Sequence, residues 1–248
     1  MSMVAGAAPR SGDDKEWGCH YSEIIHSEVD VKSCIIHVNS LEKIALALTD
    51  SVLNESWMLK LDKRTQRSYR YTVKETATAL VEIFNKIKLD SSGDSTLGEE
   101  FGEIMVSMGA SRALSKIFEH ESIPIAELWK PQKKQNEGFD FHTVCPQELI
   151  NFGEAKYSGS SNPHGDAINQ IIDFLNVEKH LRDANHLTNL VHENASCNLD
   201  DDKFGVIAAF SINSENYDLI MRNALTSITQ KKLIDKCSFI YLVGVIIQ

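Results

Sequence analysis

The sequence predicts an α/β fold in which a mixed sheet is flanked by helices, preceded by an α+β section. Three observations predict it. Residues 204–210 (FGVIAAF) and 238–247 (SFIYLVGVII) are short and almost continuously apolar, as strands covered on both faces are. Residues 138–156 (GFDFHTVCPQELINFGEAK) hold two apolar stretches separated by Pro146-Gln147-Glu148, which reads as a β-hairpin. The intervening segments repeat apolar residues every three or four positions, the period of amphipathic helices.

Taken in order, residues 1–16 are small and polar and are expected to be disordered. Residues 17–90 form the N-terminal α+β section. β-Branched residues gather between Ile24 and Val38, suggesting one or two strands, and Ser40 could cap a helix from Leu41 to about Leu53. Residues 60–71 (KLDKRTQRSYRY) carry Lys60, Lys63, Arg64, Arg67 and Arg70 against one acid, with Tyr69 and Tyr71 interleaved. This cluster reads as a phosphate contact, as a docking surface for a partner, or as a solvated loop or strand edge. Thr72-Val73-Lys74-Glu75 is a capping box, and the helix behind it aligns Val73, Ala77, Leu80, Val81, Phe84 and Ile87. Residues 90–95 (DSSGDS) are a turn-forming linker to the core at 96–248.

The core opens with a second capping box, Thr96-Leu97-Gly98-Glu99, and a helix burying Leu97, Phe101, Ile104, Met105 and Met108. Gly109 is expected to break it. Ile123 to Trp129 reads as a short strand, and Lys130, Lys133 and Lys134 then lead into the hairpin, as phosphate contacts or as a solvated loop. A helix follows from His164 to about Arg182, with Ile168, Ile171, Ile172 and Leu175 buried. His180, His186, His192 and Cys197 match no usual zinc spacing and read as surface or cap residues. Residues 194–202 read as a turn-rich connection, and a last helix runs through Tyr217, Ile220, Met221, Ala224 and Ile228.

Composition narrows the function. At 248 residues, 42% hydrophobic and 24% charged, the chain suits one large domain or a core with an appendage. A formal charge of −10 argues against a stand-alone DNA binder. Five widely spaced cysteines without a C-x-x-C pair argue against a disulfide framework and a structural zinc site, and favour a reducing cytoplasm. The first fifteen residues lack the apolar stretch of a secretory signal, and no apolar run approaches the ~20 residues that span a bilayer.

The chemistry concentrates in the hairpin. Strand alternation puts Glu154 and Lys156 on one side, and a turn near Pro146 or Gln147 sets Asp140 opposite Gly153 or Glu154. Two carboxylates and an amine on one patch suit a divalent cation beside a polarised water. The bland reading is an exposed Glu154–Lys156 strand pair and a polar edge residue at Asp140.

Asp140 followed by Glu154-x-Lys156 resembles the signature of the PD-(D/E)xK nuclease superfamily. The wording "GFD", "FGEAKYSGS" and "AINQI" resembles more closely the HamA family, the nuclease subunits of Hachiman anti-phage systems, which work with a helicase. The resemblance covers roughly residues 96–175. It implies a restriction-endonuclease-like core and a metal-dependent deoxyribonuclease acting in a cytoplasmic heterodimer with that helicase. Asp140 and Glu154 would bind Mg²⁺ or Mn²⁺, and Lys156 would position the attacking water or stabilise the developing charge. It also implies a further metal-binding glutamate from the preceding helix. Wording favours Glu103 and helical geometry favours Glu100. A glutamine near Gln170 contacts the site in some branches. The alternative is a non-catalytic subunit that keeps the fold and binds the helicase or nucleic acid.

Overall fold

The computed structural model describes residues 8–26, 29–89, 98–129 and 138–247. Strands β1 (Ser11–Asp14), β2 (Cys19–Ile24) and β3 (Lys32–Val38) form an antiparallel meander. Ser11–Asp14 is thus ordered where the sequence suggested disorder, because its backbone completes a ladder with β2. Helix α1 (Leu41–Leu53) starts where expected, Ser40 accepting from the Lys43 N–H at 3.3 Å. A 3₁₀ turn (Ser56–Lys60) then leads into α2 (Lys63–Leu89).

That long helix corrects two expectations. The basic cluster is neither loop nor strand edge, and Thr72–Glu75 is not a helix start. Asp62 caps earlier, its Oδ1 accepting from the N–H groups of Arg64 (2.8 Å) and Thr65 (3.2 Å), and no chain break precedes Thr72. The buried stripe runs Tyr69, Val73, Ala77, Leu80 and Phe84, with Val81 half-buried beside it. The linker 90–95, the capping residues Thr96 and Leu97, and Lys130, Lys133 and Lys134 lie outside the described residues.

Helix α3 (Glu99–Phe118) passes through Gly109 without a break. A Cβ there would lie 3.5 Å from Ile36, so this glycine sits where the helix packs closely on β3. After β4 (Glu121–Ser122) the expected strand is instead a helical turn, α4 (Ala126–Trp129). Trp129 Nε1 donates to the Pro124 carbonyl at 2.8 Å, and the Ala126 N–H donates to the Asp140 carbonyl at 3.2 Å, which curls the segment.

The hairpin is present as β5 (Phe141–Val144) and β6 (Ile150–Lys156). Helix α5 (His164–Asn176) stops short of the expected Arg182. Glu178 is left-handed (φ 55°), and three short helices follow: α6 (Lys179–Arg182), α7 (Ala184–Leu187) and α8 (Glu193–Asp200), the last replacing the expected connection. Strand β7 (Gly205–Ile212), helix α9 (Tyr217–Gln230) and strand β8 (Phe239–Ile247) complete the chain.

All eight strands join one mixed sheet in the order β1-β2-β3-β8-β7-β6-β5-β4. The inner ladders β3-β8, β8-β7 and β7-β6 are parallel, which is why β7 and β8 read as continuous apolar runs. The N-terminal section is therefore built into the same sheet through β3. Helix α3 crosses one face, where Phe118 packs on Tyr241 with ring centroids 5.8 Å apart. Helices α5 and α9 cover the other, where Gly244 leaves room for Ile212 and Met221.

Candidate active site

The hairpin register pairs Phe141 with Gly153. Continued by one residue, it sets Asp140 opposite Glu154, on one sheet face. Asp140 is fixed from both ends: its N–H donates to the Gly153 carbonyl (2.9 Å), and its Oδ2 accepts from the Ala155 N–H (2.8 Å). Gly153 is required there, since a Cβ would come within 2.5 Å of the Phe141 ring. The patch lies at the carboxyl end of β6, beside the parallel strands, where α/β sheets commonly bind ligands.

Glu154 has no exposed surface. Lys156 Nζ stands 3.0 Å from its Oε1, and among the described residues its Oε2 meets no hydrogen-bond donor. The same ammonium reaches Glu103 Oε1 at 3.7 Å. Burial, then the Asp140 charge, drives the Glu154 carboxyl well above the usual carboxylate range, and Lys156 only partly offsets this. Glu103 is raised for the same first reason, with Lys156 opposing and Asp140 adding. Burial works against the charge on Lys156, yet Glu154, Asp140 and Glu103 together hold the ammonium above its ordinary value. Its side chain is 22% exposed, so it is the member of the pair open to an incoming group.

Glu103 reaches the hairpin because α3 comes close to the chain just beyond β6. Gly102 allows this: a Cβ on it would sit 2.2 Å from the Tyr157 ring. A cavity of about 540 Å³ adjoins the patch, bounded by Thr72, Glu75 and Ile83 of α2, Glu100 and Glu103 of α3, Glu127 of α4, and Asp140. Glu100 therefore borders the cavity while Glu103 makes the contact with Lys156. Gln170 is half-buried on α5 and has no hydrogen bond to these residues among those described. Lys63, Arg64, Arg67 and Arg70 are exposed on α2 and do not line the cavity.

Two contributions escaped the sequence. Glu127 lay in the segment read as a strand, and α2 belonged to the section set apart from the core. Of the residues read as surface or cap positions, His192 is exposed at the start of α8 and Cys197 is exposed, whereas two histidines differ. His180 is buried against Phe204 (4.6 Å between rings), and His186 Nδ1 bonds the Tyr69 hydroxyl at 2.9 Å.

The donor chemistry fits a hard divalent cation: the carboxylates of Asp140, Glu154 and Glu103, with one buried oxygen lacking a donor. As they stand, no three His, Cys, Asp or Glu side chains among the described residues are gathered to hold a metal ion. Lys156 is the cation that meets Glu154 and Glu103 in this arrangement, through one oxygen of each carboxylate. Among the described residues no helix is long and apolar enough to cross a membrane. No protein-family model, curated protein or solved structure matches the chain.

Proposed function

We propose that the chain is a metal-dependent deoxyribonuclease whose site is Asp140, Glu154, Lys156 and Glu103. The observation that carries this reading is Glu154: a wholly buried carboxylate, cross-strand from a second one and 3.0 Å from an ammonium. Such a cluster is an expensive way to build a core, because apolar residues of similar size serve stability as well or better. A cation bound by Asp140, Glu154 and Glu103 would supply a polarised water and offset the charge that builds on the phosphoryl oxygens.

The chain's own groups do the rest. Asp140 is locked by its backbone and side-chain hydrogen bonds, so the direction of its carboxylate is set before substrate arrives. Lys156, kept charged by its carboxylate neighbours, presents an ammonium to the developing negative charge and orients the attacking water. Glu154 keeps that ammonium in place from below. The resemblance of the hairpin to HamA nucleases supports a role in anti-phage defence beside a helicase, in a cytoplasmic heterodimer.

Cleavage of plasmid and single-stranded DNA with Mg²⁺ or Mn²⁺, with and without the helicase and ATP, tests the reading. Glu154→Gln and Lys156→Ala, each checked for native circular dichroism, are expected to lose at least about a hundredfold in rate, the scale of removing one charge-stabilising group. Variants as active as wild type would remove the site assignment. A second reading, a non-catalytic subunit that keeps the fold and binds the helicase or nucleic acid, is favoured by the Lys156 contacts that occupy Glu154 and Glu103. Inactivity of wild type under every condition would select it.

A further inference from the structure

One charged surface plays no part in the candidate site. Lys63, Arg67, Arg70 and Lys74 follow one another along α2 at spacings of four, three and four residues. At 3.6 residues per turn they fall within about 60° of arc and span roughly 17 Å of helix. All four are exposed, and among the described residues none makes an ion pair, although the chain carries 35 acidic residues. The arrangement opposes helix stability. Lys63 and Arg67, and Arg70 and Lys74, are like-charged pairs four residues apart on one helix face.

The stripe also faces away from the cleft. Thr72, Glu75, Thr76, Ala79 and Ile83 line the cavity, and they centre about 180° around the helix from the four cations. Phosphates held on the stripe would therefore lie outside the catalytic cleft. Beside it, Tyr71 is 77% exposed, an unusually open aromatic ring next to Arg70. A row of cations one helical turn apart with an open aromatic at its flank matches a strand of phosphates whose bases are free to stack.

We propose that this outer face of α2 is a docking surface for single-stranded nucleic acid, with Lys63, Arg67, Arg70 and Lys74 on the phosphates and Tyr71 stacking a base. The inference is independent of the nuclease reading, because it concerns binding on the far side of the helix that borders the cleft.

The test is fluorescence anisotropy of a labelled 20-nucleotide single strand on the full chain in EDTA, where no cleavage enters, over a range of salt. Four phosphate contacts give a slope of log affinity against log salt of about −2.8, or roughly a fiftyfold loss between 50 and 200 mM. Lys63→Gln/Arg67→Gln/Arg70→Gln/Lys74→Gln should remove that slope, and Tyr71→Ala should weaken binding several-fold at unchanged slope. Lys15→Gln/Lys43→Gln/Lys203→Gln/Lys236→Gln alters the net charge equally and should leave the slope as in wild type. The proposal fails if wild type does not bind, if the two quadruple variants behave alike, or if polyglutamate displaces the strand at lower charge concentration than an unlabelled strand does. That last outcome would assign the face to an acidic protein.

Discussion

Replacing Lys156 by Met removes the counter-ion of Glu154 while keeping most of the side-chain volume. At 3.0 Å and an effective dielectric of about 20, the pair attracts by roughly 5 to 6 kcal/mol. The full amount is not lost, because the stranded carboxyl escapes by taking a proton. Wild type already carries part of that cost, since its Glu154 carboxyl is raised even beside Lys156, so at pH 7 the replacement adds at most the distance from the ordinary value of 4.5, about 3 kcal/mol. The sign follows from the raised carboxyl. Below pH 4.5 the unfolded chain is protonated as well and the penalty vanishes; as pH rises, the unfolded chain ionises, the folded one does not, and stability falls by about 1.4 kcal/mol per unit. Urea unfolding of wild type, Lys156→Met, Glu154→Gln and the double variant in EDTA gives the coupling energy. It should lie between about 0.5 and 3 kcal/mol at pH 7 and be smaller at pH 5. A coupling below about 0.5 kcal/mol at pH 7, or one unchanged by pH, would refute a sealed Glu154 held by Lys156.

Other consequences are open to the same instruments. His120 is buried, its Nδ1 bonded to the Thr143 hydroxyl at 2.8 Å, and burial, with Lys32 adding, pushes it down to about 3 from 6.5. The unfolded chain therefore takes up a proton first as pH falls through 6.5, and wild type should lose about 2 kcal/mol more than His120→Gln between pH 7.5 and pH 5. Equal losses would place the histidine in contact with solvent. Gly102→Ala would drive a methyl into the Tyr157 ring, costing about 1–3 kcal/mol in urea and lowering cleavage by displacing Glu103. Gly165→Ala, where a Cβ meets nothing within 4 Å, should instead gain up to about 1 kcal/mol; similar effects at both positions would contradict the close approach of α3.

The legible parts of the fold were those whose signals are local. The hairpin announced itself by alternation and by Pro146-Gln147-Glu148, which left Asp140 opposite Gly153 or Glu154, and the observed register selects Glu154. Strands β7 and β8 were legible because burial on both faces leaves no polar positions. What failed depended on competition between signals or on distant packing. Two start signals for α2 lie ten residues apart, and the Asp62 cap wins because nothing breaks the helix between it and Thr72. Ile123–Trp129 looked like a strand by residue type, yet Ala126 is bonded to Asp140, a contact across the hairpin that no local pattern encodes. The choice between Glu100 and Glu103 likewise turned on Gly102 and Tyr157, which meet only in the folded chain.

The distribution of charge constrains how a nucleic acid could be cleaved here. Glu75, Glu100, Glu103, Glu127 and Asp140 all border one cavity, and among the described residues no basic one lines it. A phosphodiester entering that cavity meets carboxylates on three helices, and Lys156, the cation of the candidate site, is held between Glu154 and Glu103. On the nuclease reading proposed above, the described lining of the cleft repels the substrate. A divalent cation held by Asp140, Glu154 and Glu103 would offset part of that charge, since it adds two positive charges where Lys156 contributes one. Among the described residues, the row of cations that could attract a strand, Lys63, Arg67, Arg70 and Lys74, lies on the opposite side of α2, outside the cavity. On the two proposals together, attraction and cleavage are separated by the width of one helix, and a strand held on the outer face has to pass around α2 to reach Asp140 and Glu154. An agent that translocates single strands, as a helicase does, meets that need, whereas free diffusion of DNA into an acidic cleft does not.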